Sequence, residues 1–376
     1  MKQIVILLLF FFGFLGNAGT QQIKNPVDKA EKLMLVNPKS AFQIAEKAYQ
    51  NSPDRKTKLR LLFVMTNTSS MLQNPLNVIR YGNEALSVAN DNDVVTKIKI
   101  LSILGNTYQA IKLNEKTRIY LDKAELLLSS PKIPDSLSYI KGNIYYLKAM
   151  NYFNSLDSDI ALSYFDKAIN QYLSSKHPYA ELNLKLAYLN RAFTLIEQKN
   201  LSQALESLKL AGINTRETSQ IYPPQFVDLQ SEFIELAKAK IYSIQKNTDL
   251  SNGILLKMLE RRKNSPVRDD IENDVYKILS DNYLITKDIK QHDYYQELYL
   301  KRLAQTNKDA AVWVNKLMTQ EKLHSKIESD RIRSKYVYSI VLSLVIFLSL
   351  FIYLLMRQVR IRRKRSLLEK KVLDHL

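Results

Sequence analysis

Apolar and polar positions alternate with helical spacing through most of the chain. Between residues 23 and 309, apolar residues recur three and four positions apart, and clusters of Asn, Asp, Pro and Ser interrupt them. No stretch keeps the period-two alternation of a strand. Only 8 glycines are present, so the chain has few residues suited to tight β-turns. The pattern predicts an all-α fold made of repeated helix pairs.

A second kind of pattern, continuous apolar sequence, occurs near the C-terminus. Residues 336–356 carry no charge over 21 positions. At about 1.5 Å per residue this segment reaches about 31 Å, the thickness of the hydrocarbon core. Tyr336, Tyr338 and Tyr353 stand near its ends, where interfacial aromatic anchors are expected. The segment is predicted to be a single transmembrane helix.

The N-terminus shows the order of a secretory signal. Lys2 precedes the apolar run Ile4 to Leu15, and the small residues Gly16, Ala18 and Gly19 follow. The alternative is an uncleaved anchor, but a run of this length reaches only about 18 Å as a helix. We therefore predict a signal peptide over residues 1–18.

Charge distribution predicts the orientation. Residues 357–371 hold eight Lys or Arg and residues 321–335 hold five, which favours a cytoplasmic C-terminus. The signal peptide points the same way, because it exports the chain until 336–356 stops transfer. The predicted location is the inner (cytoplasmic) membrane, with the repeats in the periplasm. The predicted division is 1–18, a repeat domain 19–309, a helical linker 310–335, the span 336–356 and a basic tail 357–376.

Small and aromatic residues recur within the helix pairs. The clearest unit contains Tyr145, Ala149, Tyr152, Ala161, Phe165 and Ala168. Small residues let two helices approach, and the aromatic rings fill the space between them. This arrangement resembles the tetratricopeptide repeat (TPR), which implies a TPR-like α-α superhelical solenoid followed by the single transmembrane helix.

Further copies of the unit extend the array to seven. One contains Leu101, Gly105, Tyr108, Leu121 and Ala124, with Thr117 where the family has Ala. A third centres on Ala192 and Ala204, and a second-helix half centres on Ala41 and Ala45. Aligned on one small residue of each second helix, the seven units are 37, 39, 44, 43, 47 and 41 residues apart, longer than the family's usual ~34.

The sequence offers no recognisable catalytic or metal-binding motif. After residue 19 no two glycines are closer than 23 residues, which excludes a glycine-rich phosphate loop. The four histidines are scattered, no Gly-x-Ser-x-Gly motif exists and there is no Cys. We therefore predict no enzyme activity, no metal site and no cofactor.

Candidate contacts lie on the first helix of each pair, which lines the concave groove in tetratricopeptide arrays. The candidate peptide-binding residues are Arg60, Asn67, Lys99, Asn106, Asn143 and Tyr146. Paired cations and amides resemble the groove by which some family members clamp a peptide carboxylate. The second cation of that clamp is missing, since Phe63 and Ser102 occupy its place. Ordinary solvated polar residues are the simpler interpretation.

Beyond the repeats, the linker 310–335 contains no Gly or Pro and is predicted to be helical, either as a plain tether or as a homodimer contact. The basic cluster beside the span is expected to contact anionic lipid headgroups rather than nucleic acid. It consists of Arg357, Arg360, Arg362, Arg363, Lys364 and Arg365. The last ten residues begin an amphipathic segment that suggests the start of a coiled coil.

The whole architecture resembles Bacteroidetes membrane sensors that carry a histidine kinase or a helix-turn-helix domain inside the cell. The output domain of those sensors is absent here, so neither activity is carried over. The resemblance implies a periplasmic protein- or peptide-binding module that serves as the input half of a signalling system. The alternative is a passive envelope scaffold or assembly adaptor.

Overall fold

The structure, a computed structural model, describes residues 25–34, 36–52, 54–129, 138–155, 157–177, 180–212, 224–262 and 269–373. The predicted signal peptide lies outside these residues. The described chain is helical and contains no strand, as predicted. Its helices are α1 (Pro26–Leu33), α2 (Pro38–Gln50), α3 (Arg55–Met71), α4 (Pro75–Val88), α5 (Val94–Ala110), α6 (Asn114–Leu128), α7 (Ser138–Asn154), α8 (Ser158–Leu173), α9 (Ala180–Glu197), α10 (Leu201–Ala211), α11 (Pro224–Ile244), α12 (Thr248–Arg262), α13 (Asp269–Ile285) and α14 (Ile289–Leu373).

The chain divides into two compact units, Met1–Trp313 and Val314–Leu376. In the first unit the helices form consecutive pairs, α1/α2 to α13/α14. The N-terminal half-unit expected from the sequence is a complete pair, although α1 has only 8 residues. The three remaining units of the predicted seven, which have Ala85, Leu255 and Tyr299 in their second helices, are also helix pairs: α3/α4, α11/α12 and α13/α14.

Two layers follow from which helices pack together. The first helices of neighbouring pairs contact each other from α1 to α13, whereas α2, α4, α6, α8, α10 and α12 pack extensively only on first helices. The first helices therefore form the inner layer of a curved array, and we call them the inner helices. Inner helix α5 shows the effect, since it is buried from Ile100 to Gln109.

Each pair turns through the same local structure. Three residues separate the helices of every pair from α3/α4 onward, and the middle residue has a positive φ in Gln73, Lys112, Lys199, Lys246 and Lys287. At Lys199 the amide of Asn200 donates to the carbonyl of Leu195, the bond of a Schellman motif. These left-handed residues are lysine or glutamine rather than glycine, which is how a glycine-poor chain makes so many turns.

An asparagine or aspartate follows most of these turn residues and caps the next helix. Oδ1 of Asn74 accepts from the amide of Asn77, and Oδ1 of Asp157 accepts from the amide of Ile160. Such side chains satisfy amides that the first helical turn leaves unpaired. Where both are present, the turn residue and the capping residue mark the start of the outer helix.

The predicted small and aromatic positions form the core between the layers. Ala149, Ala161, Phe165 and Ala168 are fully buried. Thr117, which stands where the tetratricopeptide pattern has Ala, is fully buried as well. Within each of three helix pairs, a tyrosine of the inner helix stacks on a tyrosine of the outer helix. The ring centres of Tyr152 and Tyr164, for example, are 5.5 Å apart. These contacts hold each outer helix against its own inner helix.

A buried cation joins the third and fourth pairs. Lys148 on α7 is 4% exposed, and its Nζ donates to Asp122, at 2.6 Å, and to Glu125. The Lys148 ammonium also lies 4.8 Å from the ring centre of Tyr164. Arg191 occupies the equivalent position on α9, the inner helix of the next pair, and donates to Asp166 at 2.8 Å. Ion pairs thus cross the boundary between successive pairs at equivalent positions.

The second unit is helical to Leu373, and within it a segment over Ile332–Gln358 is long and apolar enough to cross a membrane. That segment encloses the predicted span 336–356.

Candidate functional site

Cations and amides repeat on the same face of inner helices α3 and α5. Arg60 and Lys99 each stand thirteen residues before the left-handed turn residue of their pair, and Asn67 and Asn106 each stand six before it. Because these two helix pairs share the turn, equal separations mean equivalent positions. The structure therefore places the predicted residues of these two helices in register.

Arg60 is engaged by the first pair. Its guanidinium donates to Asp28 at 2.7 Å and to both carboxylate oxygens of Glu31, with Nε 2.9 Å from Oε1. Hydrogen bonding to Glu31 raises the Arg60 pKa above its ordinary value, against the opposing effect of burial. Two acids of α1 thus match the charge of Arg60, and its role as a peptide contact stays a prediction.

Lys99 lies in a less polar setting. Its ammonium stands 5.8 Å from the ring centre of Phe63 on the neighbouring inner helix. Burial lowers the Lys99 pKa to about 8, with the nearby charge of Glu31 acting in the opposite direction. Near neutral pH this amine is therefore closer to losing its proton than an ordinary lysine.

His177, which sequence reasoning did not select, belongs to the same region. Its ring stacks on Tyr139 of inner helix α7, with centroids 3.8 Å apart and planes 14° apart. Burial lowers the His177 pKa, and the charge of Lys99 lowers it further. His177 and Lys99 are thus close enough for the charge of the lysine to act on the histidine. No spacing rule connects them in the sequence, because His177 follows an outer helix.

Asn143 and Tyr146 are structural rather than exposed. Oδ1 of Asn143 accepts from the hydroxyl of Tyr172 at 2.8 Å and from Nδ2 of Asn183 at 2.7 Å. The Tyr146 hydroxyl accepts from Nδ2 of Asn190 at 2.8 Å, and Tyr146 is 1% exposed. Burial raises the pKa of Tyr146. Both residues make hydrogen bonds between helices, and their role as peptide contacts stays a prediction.

Several buried amide groups of the inner layer keep an unused hydrogen-bonding atom. Among the described residues, Nδ2 of Asn67, Oε1 of Gln109 and Oδ1 of Asn190 have no hydrogen-bond partner. An unsatisfied buried polar atom costs about 1–3 kcal/mol. Both a donor and acceptors are present, which is the complement of peptide bonds. Asn190 was not predicted, although counting back from the turn at Lys199 places it on an inner helix.

The titratable groups of the described chain do not form a metal cage, since no cluster of three or more His, Asp or Glu there could hold a metal ion. The nearest approach to a catalytic pair is Ser280 with His292, whose Nδ1 lies 2.9 Å from the Ser280 carbonyl. The Ser280 hydroxyl lies 3.0 Å from Oε1 of Gln296, to which it donates. With Nδ1 bonded to a carbonyl, this histidine joins α13 to α14. The predicted lack of enzyme activity stays a prediction.

Comparison with solved structures places this architecture among known folds. The crystal structure of the apo form of RapI matches with a TM-score of 0.57 and 13% identity, covering 75% of this chain and 98% of that chain. The fold is a TPR-like superhelix. A Rap protein complexed with competence and sporulation factor matches with a TM-score of 0.51 and 12% identity, covering 75% of this chain and 73% of that chain.

At this identity the likeness to the Rap proteins establishes the fold alone. No protein-family model matches the sequence, and a search of curated proteins found no match. The predicted kinship to Bacteroidetes sensors remains a prediction.

The second unit carries the residues expected to meet lipid. In it Arg357 and Arg360 are exposed on α14, directly beside the apolar segment. The side chains of Arg362, Arg363, Lys364 and Arg365 lie outside the described residues.

Proposed function

We propose that this chain is a membrane-anchored module whose inner helices bind a peptide or an extended protein segment. The observation that supports this most is the pair of buried amides on inner helices with an unused donor at Asn67 and an unused acceptor at Gln109. A peptide backbone carries both an N–H donor and a C=O acceptor at most residues. It can therefore satisfy both kinds of atom at once.

The solved structures of similar fold give a second reason to propose ligand binding. The Rap protein of similar fold is described in complex with competence and sporulation factor, so a ligand-bound state exists for this architecture. Transferring ligand binding from that protein to this chain is part of the proposal.

The location and role complete the proposal. The apolar helix anchors the repeats in the cytoplasmic membrane, the repeats face the periplasm, and the module acts as the input half of a signalling system. Support comes from the length of the apolar segment and from the exposed arginines beside it, which suit anionic headgroups.

Ligand binding is tested by photo-cross-linking in living cells. Phe153, a half-buried residue of inner helix α7, is replaced by the photoreactive amino acid benzoylphenylalanine, and adducts are identified by mass spectrometry. Half-buried Tyr120 on outer helix α6 receives the same replacement as a control. We expect a peptide adduct from position 153 alone.

The amides are then tested in the cross-linking background. Gln109→Ala combined with Asn67→Ala should reduce the adduct at position 153 at least tenfold, while Asn170→Ala, an exposed amide of outer helix α8, should leave it unchanged. A circular dichroism melt checks that the double variant stays folded. Equal adducts from positions 153 and 120, or an adduct insensitive to the amide changes, would argue against the inner layer as the binding site.

Signalling is separable from anchoring. Replacing residues 357–376 with an unrelated basic sequence of the same charge should keep the protein in the membrane and abolish a ligand-dependent change in transcription. If the transcriptional response survives the replacement, the passive scaffold is the better description.

A further inference from the structure

Helix α14 continues beyond the pair to which it belongs. Its first turns pack on α13, where the rings of Tyr283 and Tyr295 stack 5.7 Å apart. Further along α14, Arg302 forms an ion pair with Glu272 of α13, at 3.3 Å. The other outer helices have 11 to 16 residues, so an outer helix of ordinary length that begins at Ile289 would end between residues 299 and 304. The residues after it are additional to the repeat.

These additional residues touch a distant pair. Asn307 Oδ1 accepts a hydrogen bond of 2.7 Å from Nζ of Lys112. Lys112 is the left-handed residue of the turn between α5 and α6, so the bond joins the seventh helix pair to the third. Residues 303–313 belong to the same compact unit as the repeats.

The bond between Lys112 and Asn307 joins helix pairs that are not neighbours in the array. In a solenoid each repeat touches only its neighbours, so curvature is set by a series of local interfaces. A bond across four pairs adds a direct restraint on the distance between the third pair and the last. Any change in curvature between them must stretch or break it.

We propose that residues 303–313 form a latch that docks on the turn of the third pair and holds the array at one curvature. The bond is between exposed groups, Lys112 and Asn307. A single hydrogen bond between exposed groups contributes little net stability, so the latch can open reversibly. The latch does not depend on the proposed peptide binding, since the bond forms between two parts of the repeat unit itself.

The composition of the chain makes the latch measurable. The protein has no Cys, so cysteines introduced in pairs are the only thiols, and it has a single Trp. That residue, Trp313, is half-buried and lies six residues after Asn307, about 9 Å along the same helix. Its fluorescence therefore reports on the end of the latch segment.

The first test is cross-linking of the full-length protein in native membranes. Lys112→Cys with Asn307→Cys is treated with a short bismaleimide, because a lysine side chain holds the two backbones farther apart than a disulfide bridges. The matched control is Lys199→Cys with Asn307→Cys, which uses the equivalent left-handed residue of the fifth pair. We expect at least a fivefold higher intramolecular yield for the 112/307 pair. Equal yields, or no product from that pair, would overturn the proposal.

The second test uses Trp313 and alters a single residue. Lys112→Ala should shift the Trp313 emission to longer wavelength as the latch segment is released and becomes more hydrated. Lys199→Ala should leave the emission unchanged, because its turn has the same backbone strain without the contact. An emission spectrum unaffected by Lys112→Ala would also overturn the latch, whatever the binding experiments show.

Discussion

Gly142 shows how closely inner and outer helices approach at single residues. It lies on α7, and a Cβ built there would stand 2.5 Å from Cε1 of Tyr172. Tyr172 is buried and tied by its hydroxyl to Asn143, so its ring has little freedom to move. Gly253 on α12 is the opposite case, with open space around the position of a Cβ.

We expect Gly142→Ala to destabilise the repeats by about 1–3 kcal/mol, because overpacking displaces a bonded ring. Gly253→Ala should instead stabilise them by about 0.5–1 kcal/mol, the usual gain of alanine over glycine within a helix. Unfolding of the detergent-solubilised protein by urea, followed by circular dichroism, measures both. Similar effects of the two substitutions would show that the Tyr172 contact is not restrictive.

His177 gives the stability a dependence on pH. Burial and the charge of Lys99 lower its pKa in the folded protein below the ordinary 6.5. A folded-state pKa that is depressed contributes stability above the unfolded pKa, and this is lost as pH falls through the folded value. We expect the wild-type melting temperature to fall between about pH 7 and pH 5, and His177→Gln to weaken that fall. Identical pH profiles for the two proteins would show that other groups control it.

Among single residues, the core was predictable from sequence and the site only in part. Ala149 and Phe165 stand in a pattern that only packing explains, and both are fully buried. The spacing of Asn143 and Tyr146 along α7 is the spacing expected of groove residues. In the structure, however, they accept hydrogen bonds from Asn183 and Asn190 of the next inner helix. Side-chain partners on another element leave no trace in the spacing of one helix.

At the scale of helices, the turn determines the register of the array. The spacings predicted from small residues of the second helices agree with the separations of the left-handed residues, as with the 39 residues from Gln73 to Lys112 and the 47 from Lys199 to Lys246. The position of each pair was therefore predictable. The left-handed conformation was not, since lysine and glutamine are not residues that signal it.

The ion pairs between successive pairs differ in burial, and their contributions should differ accordingly. The Lys148 side chain is 5% exposed, whereas that of Arg191 is 24% exposed. Lys148→Met should lower the free energy of unfolding by about 1–3 kcal/mol through lost charge-assisted hydrogen bonds. Arg191→Met should lower it by less than about 1 kcal/mol, as for other exposed pairs. Equal losses in urea unfolding would mean that burial of the cation is unimportant.

At the scale of the whole molecule, the repeats share stability through neighbours. Phe165 is fully buried and packs edge-on against Tyr146, with ring centres 5.9 Å apart. The helix-pair array and the apolar segment were predictable from sequence, because both produce long regular patterns. The bond between Lys112 and Asn307 was not predictable, because it joins residues far apart in the chain.

We expect Phe165→Ala to cost about 3–5 kcal/mol and to act locally. Amide hydrogen exchange should quicken in α7, α8 and α9 and stay unchanged in α3 and α4, because coupling in a solenoid passes between adjacent repeats. Ile160→Ala, at a 40% exposed residue of α8, serves as the control and should change little. Uniform acceleration over the whole chain would indicate a single cooperative unit instead.

The constant turn within pairs has a consequence for how such an array could be rebuilt. Variation in unit length comes from the helices and from the connections between pairs, while the three-residue joints at Gln73, Lys112, Lys199, Lys246 and Lys287 share one left-handed geometry. Cutting the chain at two such joints, for example at Lys199 and Lys246, and splicing the ends would therefore rejoin matching backbone. Variants made in this way would lose or gain whole helix-pair units, and the interfaces between the other pairs would stay unchanged.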